Sequence, residues 1–450
     1  MNTALVILAA GKGTRMQSDL PKVLHEVAGA PLLVHAISSG ETLEPEQIVI
    51  VTGHGGALVE KAAIAHTERA QTATQTEQLG TAHAVRAAEP ALAEFQGDVF
   101  ILYGDTPFIT ADTLSRMQAA RAGGADVVVL GFEAADPGNY GRLIVENGAL
   151  DRIVEAKEAS PEELTVTLCN SGVMCADRET LFSLLAEVRN DNAKGEYYLT
   201  DIVEIARKRD LKAAAVACSE AETLGCDSRV DLATAEGIFQ AKARREALEN
   251  GVTMHAPETV YFSFDTHIGR DVVIEPNVVF GPGVTVETGA RIRAFSHLEG
   301  CHVGEAAIVG PYARLRPGTE LGGETKVGNF VEIKNATIDR GAKVNHLTYI
   351  GDAEIGEGAN IGAGTITCNY DGVNKHKTII GKDAFVGSNS SLVAPLEIAE
   401  GGYIASGSVI TKSVGEGDLA IARVEQVNKE GLGARMVAKL RAAKAKKKDA

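Results

Sequence analysis

The chain has 450 residues, too many for one ordinary hydrophobic core, so two or three domains are expected. Apolar residues make up 45% and charged residues 23%, and 60 acidic against 44 basic side chains leave a net charge of −16. That charge argues against general nucleic-acid binding but leaves room for an anionic substrate held by a few placed cations. No apolar stretch approaches the roughly 20 residues needed to span a bilayer, and the start carries no basic leader pattern. The six cysteines show neither a CxxC pair nor metal-ligand spacing, so a reduced, cytoplasmic protein is expected.

Up to about residue 230, short β-branched runs alternate with helix-like stretches. Ala4–Leu8, Gln47–Val51, Val99–Leu102 and Val127–Leu130 read as buried parallel strands, and Asp112–Ala122 as a helix. The alternation predicts an α/β doubly wound, Rossmann-like sheet. A glycine-rich strand-to-helix turn, Leu8-Ala9-Ala10-Gly11-Lys12-Gly13-Thr14-Arg15-Met16, follows the first strand. Such a turn lets backbone N–H groups approach phosphates, and a helix N-terminus would add a favourable field. Its spacing is not that of a Walker A loop, and Met16 stands where a dinucleotide fold has its third glycine. Arg15 and Pro21-Lys22 accompany it. A charge-rich helical stretch then ends at Gly251; as a connector it fits better than as a packed helix.

Beyond it the period changes. Apolar residues fall every sixth position at Ile268, Ile274, Phe280, Val286, Ile292 and Leu298. The frame restarts at Val303, Val309, Leu315, Leu321, Val327 and Ile333, and again at Ile380, Val386, Leu392, Ile398, Ile404 and Ile410. Neither helix nor plain strand repeats every six; a left-handed parallel β-helix of hexapeptide repeats does. Slips in the frame mark insertions, the longest at Thr365–Thr378. The divisions expected are 1–229, a linker helix at 230–251, a β-helix at 252–437 and a basic tail, solvated and irregular, at 438–450.

LAAGKGTRM followed by PK resembles the signature of sugar-phosphate nucleotidyltransferases. Gln75, Glu77-Gln78-Leu79-Gly80-Thr81-Ala82, Tyr103-Gly104-Asp105, Tyr140-Gly141-Arg142, Glu155, Asn170 and GEYYLTDI at 195–202 are similar to the uridylyltransferases of N-acetylglucosamine 1-phosphate. The blocks ARLRPG, NFVEIKN, NHLTYIGD and GANIGAGTITCNYDG resemble the acetyltransferase half of the bacterial bifunctional family that also acetylates glucosamine 1-phosphate. The resemblance covers nearly the whole chain. It implies synthesis of UDP-N-acetylglucosamine, a cell-wall and lipopolysaccharide precursor, from glucosamine 1-phosphate, acetyl-CoA and UTP with Mg²⁺, by a homotrimer.

In the first half the resemblance places Leu8, Ala9, Ala10, Gly11, Tyr103 and Gly104 along the nucleotide, with Gln75, Gly80 and Thr81 reading uracil. Gly141, Glu155 and Asn170 would hold the sugar, Arg15 and Lys22 the phosphates, and Asp105 the metal. The family shows Val-Asn-x-Arg where this chain has Cys226-Asp227-Ser228-Arg229. Asp227 therefore takes the second metal-ligand place, with Ser228 as the other register. An extra carboxylate there would repel UTP when the metal is absent.

In the second half His346 is the candidate base, because an amine must be neutral to attack a thioester and histidine titrates near neutrality. Glu332 could orient it. Arg316, Lys334 and Lys375 would grip the sugar phosphate, and Tyr349 and Asn360 the sugar. Ala363, Asn369, Tyr370, Ser388, Ser406 and Arg423 would lie along acetyl-CoA. The rival readings are a single-function nucleotidyltransferase whose β-helix only assembles subunits, which the His346, Tyr349, Lys334 and Lys375 group opposes, and a non-catalytic scaffold, which Arg15, Lys22 and Asp105 oppose.

Overall fold

The structure, a computed structural model, describes every residue except 1, 147, 193, 449 and 450. It divides into two compact units: Met1–Glu246 with Phe262–Asp265, and Ala247–Tyr261 with Thr266–Ala450.

The first unit is built on nine strands: β1 (Thr3–Ala9), β2 (Gln47–Thr52), β3 (Ala70–Thr74), β4 (Asp98–Tyr103), β5 (Val127–Glu133), β6 (Arg142–Glu146), β7 (Ala149–Val154), β8 (Leu168–Asp177) and β9 (Ala213–Cys218). The sheet runs β9-β5-β8-β4-β1-β2-β3, and the hairpin β6–β7 joins it through β8. β1 is buried on both faces: Ala4, Val6 and Leu8 enter one hydrophobic layer, and Leu5, Ile7 and Ala9 the other. A strand covered on both sides must be apolar throughout, which is why its sequence shows no alternation. Helices α1 (Leu32–Glu41), α2 (Gly56–His66), α3 (Thr81–Ala87), α4 (Ala111–Ala122), α5 (Arg178–Glu187) and α6 (Asp201–Lys208) cover the faces. Two strands, β7 and β8, depart from the expected parallel set. β8 runs antiparallel between β4 and β5, because the β6–β7 hairpin reverses the chain before it enters the sheet.

Helix α7 (Arg229–Glu249) lies where the connector is expected, but most of it belongs to the first unit. Leu232, Ala235 and Phe239 pack with Val27, Leu32 and Phe264. Gln240 anchors the returning strand reciprocally, donating to Phe262 O at 2.7 Å and accepting from its N–H at 2.9 Å.

The second unit is the left-handed parallel β-helix that the period of six predicts. Of the eighteen frame residues, all but Ile268 at its start are buried. Three columns of parallel pairs form three faces. One passes through Val273, Arg291, Ile308, Lys326, Lys343 and Asn360. A second passes through His297, Arg314, Glu332, Tyr349 and Ile366, and a third through Thr285, His302, Glu320, Thr337 and Glu354. Partners in these columns lie 17 or 18 residues apart, but across one long coil they lie 25 apart on all three faces: Ala353 with Thr378, Asn360 with Phe385 and Ile366 with Ser391. The surplus is a hairpin loop at 369–377, closed by a Tyr370–Lys375 bridge. The chain ends in helix α8 (Leu432–Lys448), so the part of the basic tail at 438–448 is helical rather than irregular. Its Ala, Leu, Lys and Arg content gives the physical reason. Among the described residues no helix is long and apolar enough to cross a membrane.

If the frame residues carry the stability of the prism, Leu392→Ala should cost about 2–5 kcal/mol, whereas the outward Glu397→Ala should stay within about 0.5 kcal/mol. Denaturant unfolding of the two variants checks this, and equal losses would refute the inward assignment.

Candidate active sites

The first site forms where two strand ends meet. Leu8 of β1 lies opposite Tyr103 of β4, and Gly104 N–H donates to Leu8 O at 3.0 Å. Beyond β1 the chain enters a single 3-10 turn, Thr14–Met16, rather than the expected helix. A single turn carries little of the field that a longer helix would add. Gly13 has φ +58°, and a Cβ there would fall 2.6 Å from Lys22 Cβ, so only glycine lets the loop close on Lys22. Around Gly11 nothing stands within 4 Å of a would-be Cβ.

Lys22 Nζ is held by the Asp105 carboxylate and by Asp227 Oδ1, the latter at 2.8 Å. Arg15 Nη2 lies 2.9 Å from Asp227 Oδ2. Cys226 N–H donates to Asp105 O at 2.9 Å, which brings the 226–228 segment to the end of β4. The Asp227 carboxylate shares Lys22 with that of Asp105. Ser228 Oγ instead donates to Asp231 Oδ2 at 2.8 Å, at the start of α7. Burial pulls the Lys22 pKa down, but Asp105 and Asp227 outweigh it and hold it above the usual range. For Asp227 burial acts upward, and Lys22 and Arg15 together bring it below the ordinary carboxylate value.

Gln75 Nε2 donates to Gly80 O at 3.1 Å and meets His83 Nδ1 at 3.1 Å. Thr81 Oγ1 accepts from Leu199 N–H at 3.0 Å. Gly80, at φ +109°, approaches Tyr197 so closely that a Cβ would sit 2.5 Å from its carbonyl oxygen. Gln78, given no role from sequence, ties this loop to the glycine loop after β1 by donating to Ala10 O at 2.6 Å. On the other side Gly141, Glu155 and Asn170 converge: a Cβ at Gly141 would lie 3.6 Å from Glu155 Oε1 and 3.7 Å from Asn170 Cβ. Burial raises the Glu155 pKa, Lys194 opposes, and Glu158 adds to the rise. Tyr103 lies between the two groups, its pKa raised by burial and then by Asp105 and Glu155.

The second site lies on the prism. Arg316 Nη1 pairs with Glu332 Oε1 at 2.9 Å, and Lys334 lies close enough to Lys375 for that ammonium to hold its pKa down, with burial and Arg316 adding and Asp352 opposing. Asp352 accepts from Asn335 Nδ2 at 2.6 Å and from Asn369 Nδ2, fixing the root of the hairpin loop. Within the loop Asp371 accepts from Val373 N–H at 2.8 Å and Asn374 N–H at 2.7 Å, and meets His376 Nε2 at 2.7 Å. A depression of about 270 Å³ opens beside Asp352, Asn335 and Lys375. Gly351 leaves room for the Tyr349 hydroxyl and for Asn369 Nδ2, which would lie 2.8 Å from a Cβ there.

His346 is exposed on the neighbouring corner, where Asn329 Oδ1 meets its Nδ1 at 2.8 Å. The expected orienting contact from Glu332 is absent among the described residues. The 17-residue register sets Asn329, not Glu332, beside His346, and Glu332 beside Tyr349. Ala363, Ser388 and Ser406 continue the His346 corner upward, through Gly364 N–H to His346 O, Asn389 N–H to Ala363 O and Gly407 N–H to Ser388 O. Arg423 donates to Ser406 O. Tyr370 is exposed on the hairpin loop. Asn360 is the residue that one chain does not bring to the cation group: it lies on the first face, in register with Lys343 and Phe385. All six cysteines are unpaired thiols, and no group of three or more metal-ligating His, Cys, Asp or Glu occurs among the described residues.

A nucleotidyltransferase sheet whose strand ends gather a glycine loop, two cations and two carboxylates, followed by a hexapeptide prism carrying cations and an imidazole, defines a two-part transferase. Residues 5–200 match the MobA-like NTP transferase domain, and residues 265–300 the bacterial transferase hexapeptide of six repeats. The chain is 63% identical over 447 residues to a protein of a Ruegeria species, 59% to one of a Jannaschia species and 60% to one of Dinoroseobacter shibae, each called bifunctional protein GlmU. These alignments cover 99% of this chain and 98–99% of each relative. The chain belongs to the GlmU family of bifunctional proteins.

In the first unit, burial, then Glu204, Glu158 and Glu155, push Asp201 up to about 6, with Lys208 opposing. A carboxyl whose folded pKa exceeds its unfolded value of 3.8 destabilises the fold as it ionises, so this contribution worsens as pH rises through about 6. Asp201→Asn should therefore raise the thermal midpoint above pH 7, with the gain shrinking toward pH 4. A pH series of melting curves decides; a gain independent of pH would contradict the shift.

Proposed function

We propose that the chain makes UDP-N-acetylglucosamine in two steps, acetyl transfer from acetyl-CoA to glucosamine 1-phosphate on the prism and uridylyl transfer from UTP in the first unit, in the cytoplasm. Family membership supports the pairing of activities. The observation that carries the reading is the group of Arg316, Lys334 and Lys375 on a prism that also exposes the His346 imidazole, which a prism serving only to assemble subunits does not need.

In uridylyl transfer a phosphate oxygen of N-acetylglucosamine 1-phosphate attacks the α-phosphorus of UTP, and pyrophosphate leaves. Arg15 and Lys22 bind phosphate oxygens, the 8–11 loop offers N–H groups, and Gln75, Gly80 and Thr81 hold uracil. Gly141, Glu155 and Asn170 orient the sugar. Asp105 and Asp227 fit a divalent cation, since both already aim carboxylates at one ammonium. Mg²⁺ held by this pair would neutralise charge on the triphosphate and the departing pyrophosphate.

In acetyl transfer the amine of glucosamine 1-phosphate attacks the thioester carbonyl, the C–S bond breaks, and CoA leaves as the thiol. His346 takes the amine proton. Arg316, Lys334 and Lys375 hold the phosphate, Tyr349 and Asn360 the sugar, and Ala363, Asn369, Tyr370, Ser388, Ser406 and Arg423 the coenzyme. The separate location of Asn360 in one chain supports a homotrimer, whose neighbouring subunit supplies the missing wall. Phe295, Tyr312 and Phe330 stack as an exposed aromatic stripe up the corner that leads to Leu347 and His346, a surface suited to such a neighbour.

The two chemistries should separate. Asp105→Ala should abolish pyrophosphate release and spare thiol release, and His346→Ala should do the reverse by about 10² or more. Chelation should stop only the first. Loss of both activities in a folded single variant would refute two independent sites. Asp227→Asn should bind metal-free UTP several-fold more tightly by calorimetry in EDTA, because it frees Arg15 and removes a negative charge; unchanged affinity would reject the repulsion. Residues 252–437 alone should form a trimer that transfers acetyl groups, and light scattering with a thiol assay tests this. A fully active monomeric fragment would exclude the intersubunit site.

A further inference from the structure

The imidazole of His346 makes one side-chain hydrogen bond among the described residues, to Asn329, and that residue has no role in the reading above. The two are forced together by the fold. Asn329 and His346 are register partners on successive coils, and Leu347 N–H donates to Asn329 O at 3.0 Å immediately beside them. On the coil above, the corner carries Ala363, whose methyl group competes for no ring nitrogen. With Asn329 Oδ1 accepting, the ring proton sits on Nδ1, and Nε2 is left as the basic nitrogen. An amide does this without charge, so it fixes the tautomer and adds no electrostatic pull toward the imidazolium. A carboxylate in the same place would fix the same tautomer but favour the imidazolium.

We propose that Asn329 is the positioning residue for the base of acetyl transfer, holding the His346 proton on Nδ1 so that Nε2 takes the proton of the amine. The proposal rests on the acetyltransferase reading with His346 as base. Glu332 then acts elsewhere: its carboxylate is bonded to Arg316, and it positions that guanidinium for the sugar phosphate. The charged and titratable groups on the strands that pair with or flank that of His346 are Lys326 and Lys343 on the first face, Glu332, Lys334, Tyr349 and Asp352 on the second, and Glu354 on the third. None of them makes a hydrogen bond or ion pair with the ring among the described residues.

The test is the pH dependence of acetyl transfer by the full-length protein, followed by thiol release. Asn329→Asp should move the acidic limb of kcat/KM up by about one pH unit, as an opposite charge beside the ring requires. Asn329→Leu should cut kcat about tenfold, part of the roughly 10² that a general base supplies. Asn329→Ser, which restores an acceptor oxygen, should recover part of that loss. Glu332→Gln should leave the limb in place and raise KM for glucosamine 1-phosphate. In the wild-type protein ¹⁵N-histidine spectra, with His346→Gln for assignment, should show the Nδ1–H tautomer at neutral pH, a measurement that needs no folded Asn329 variant. An Nε2–H tautomer, or an acidic limb in Asn329→Asp within about 0.2 units of wild type, would overturn the positioning role. Acetyl transfer surviving in His346→Gln would instead overturn the assignment of the base.

Discussion

Parallel strand pairing is the constraint from which both sites follow. Two parallel strands cannot be joined by a tight turn, so each connection crosses a face of the sheet and all the strand ends open on one edge. In the first unit that edge gathers the ends of β1 and β4, bringing the 10–16 loop to Asp105 across some ninety residues of sequence. In the second unit the same pairing is run by a coil. One turn of the prism lifts the chain by about 4.8 Å, the spacing of neighbouring strands, and leaves its lateral place unchanged. Residues 17 apart therefore become neighbours, and Asn335 with Asp352 or Asn329 with His346 meet without any further device.

The two sites manage charge in opposite ways within a chain of net charge −16. In the first, Lys22 and Arg15 are tied to Asp105 and Asp227, so the cations are neutralised until something else occupies the carboxylates. In the second, Lys334 and Lys375 crowd each other, and Asp352 is the carboxylate that tempers them. A knot of balanced charges suits a ligand that arrives with its own cation. A crowded pair of ammonium groups suits a bare phosphate, which relieves their repulsion as it binds.

Most of this was legible in the sequence because periodicity is a local property. The period of six marked seventeen buried residues of the prism outside 334–379, and the continuous apolar runs marked β1 and β4. The antiparallel β8 was not legible, since its reversal depends on a hairpin whose strands have no distinctive pattern. Nor was the 3-10 turn after Gly13, where the positive φ of one glycine and its contact with Lys22 decide the path. The Asn329–His346 pair was missed for a different reason. Spacing of 17 is invisible to a reader counting in sixes, because the coil there is one residue short of three repeats. The same short coil sets Glu332 opposite Tyr349, and its carboxylate bonds Arg316 on the coil below instead of the imidazole.

The one long coil has an implication for how such a protein acquires chemistry. Ala353 pairs with Thr378 and Ile355 with Ile380 as regularly as any shorter rung, so the extra residues at 369–377 leave the strands above and below in step. Length added at a corner is absorbed outside the ladder, and its cost stays local. A solenoid can thus test new loops one rung at a time, with the rest of the stack indifferent to each trial. The loop carrying Tyr370 and Lys375 is placed where an insertion meets a corner already furnished with Asn335 and Asp352. Two ordinary rungs and one elongated one are enough to turn a scaffold into a binding surface.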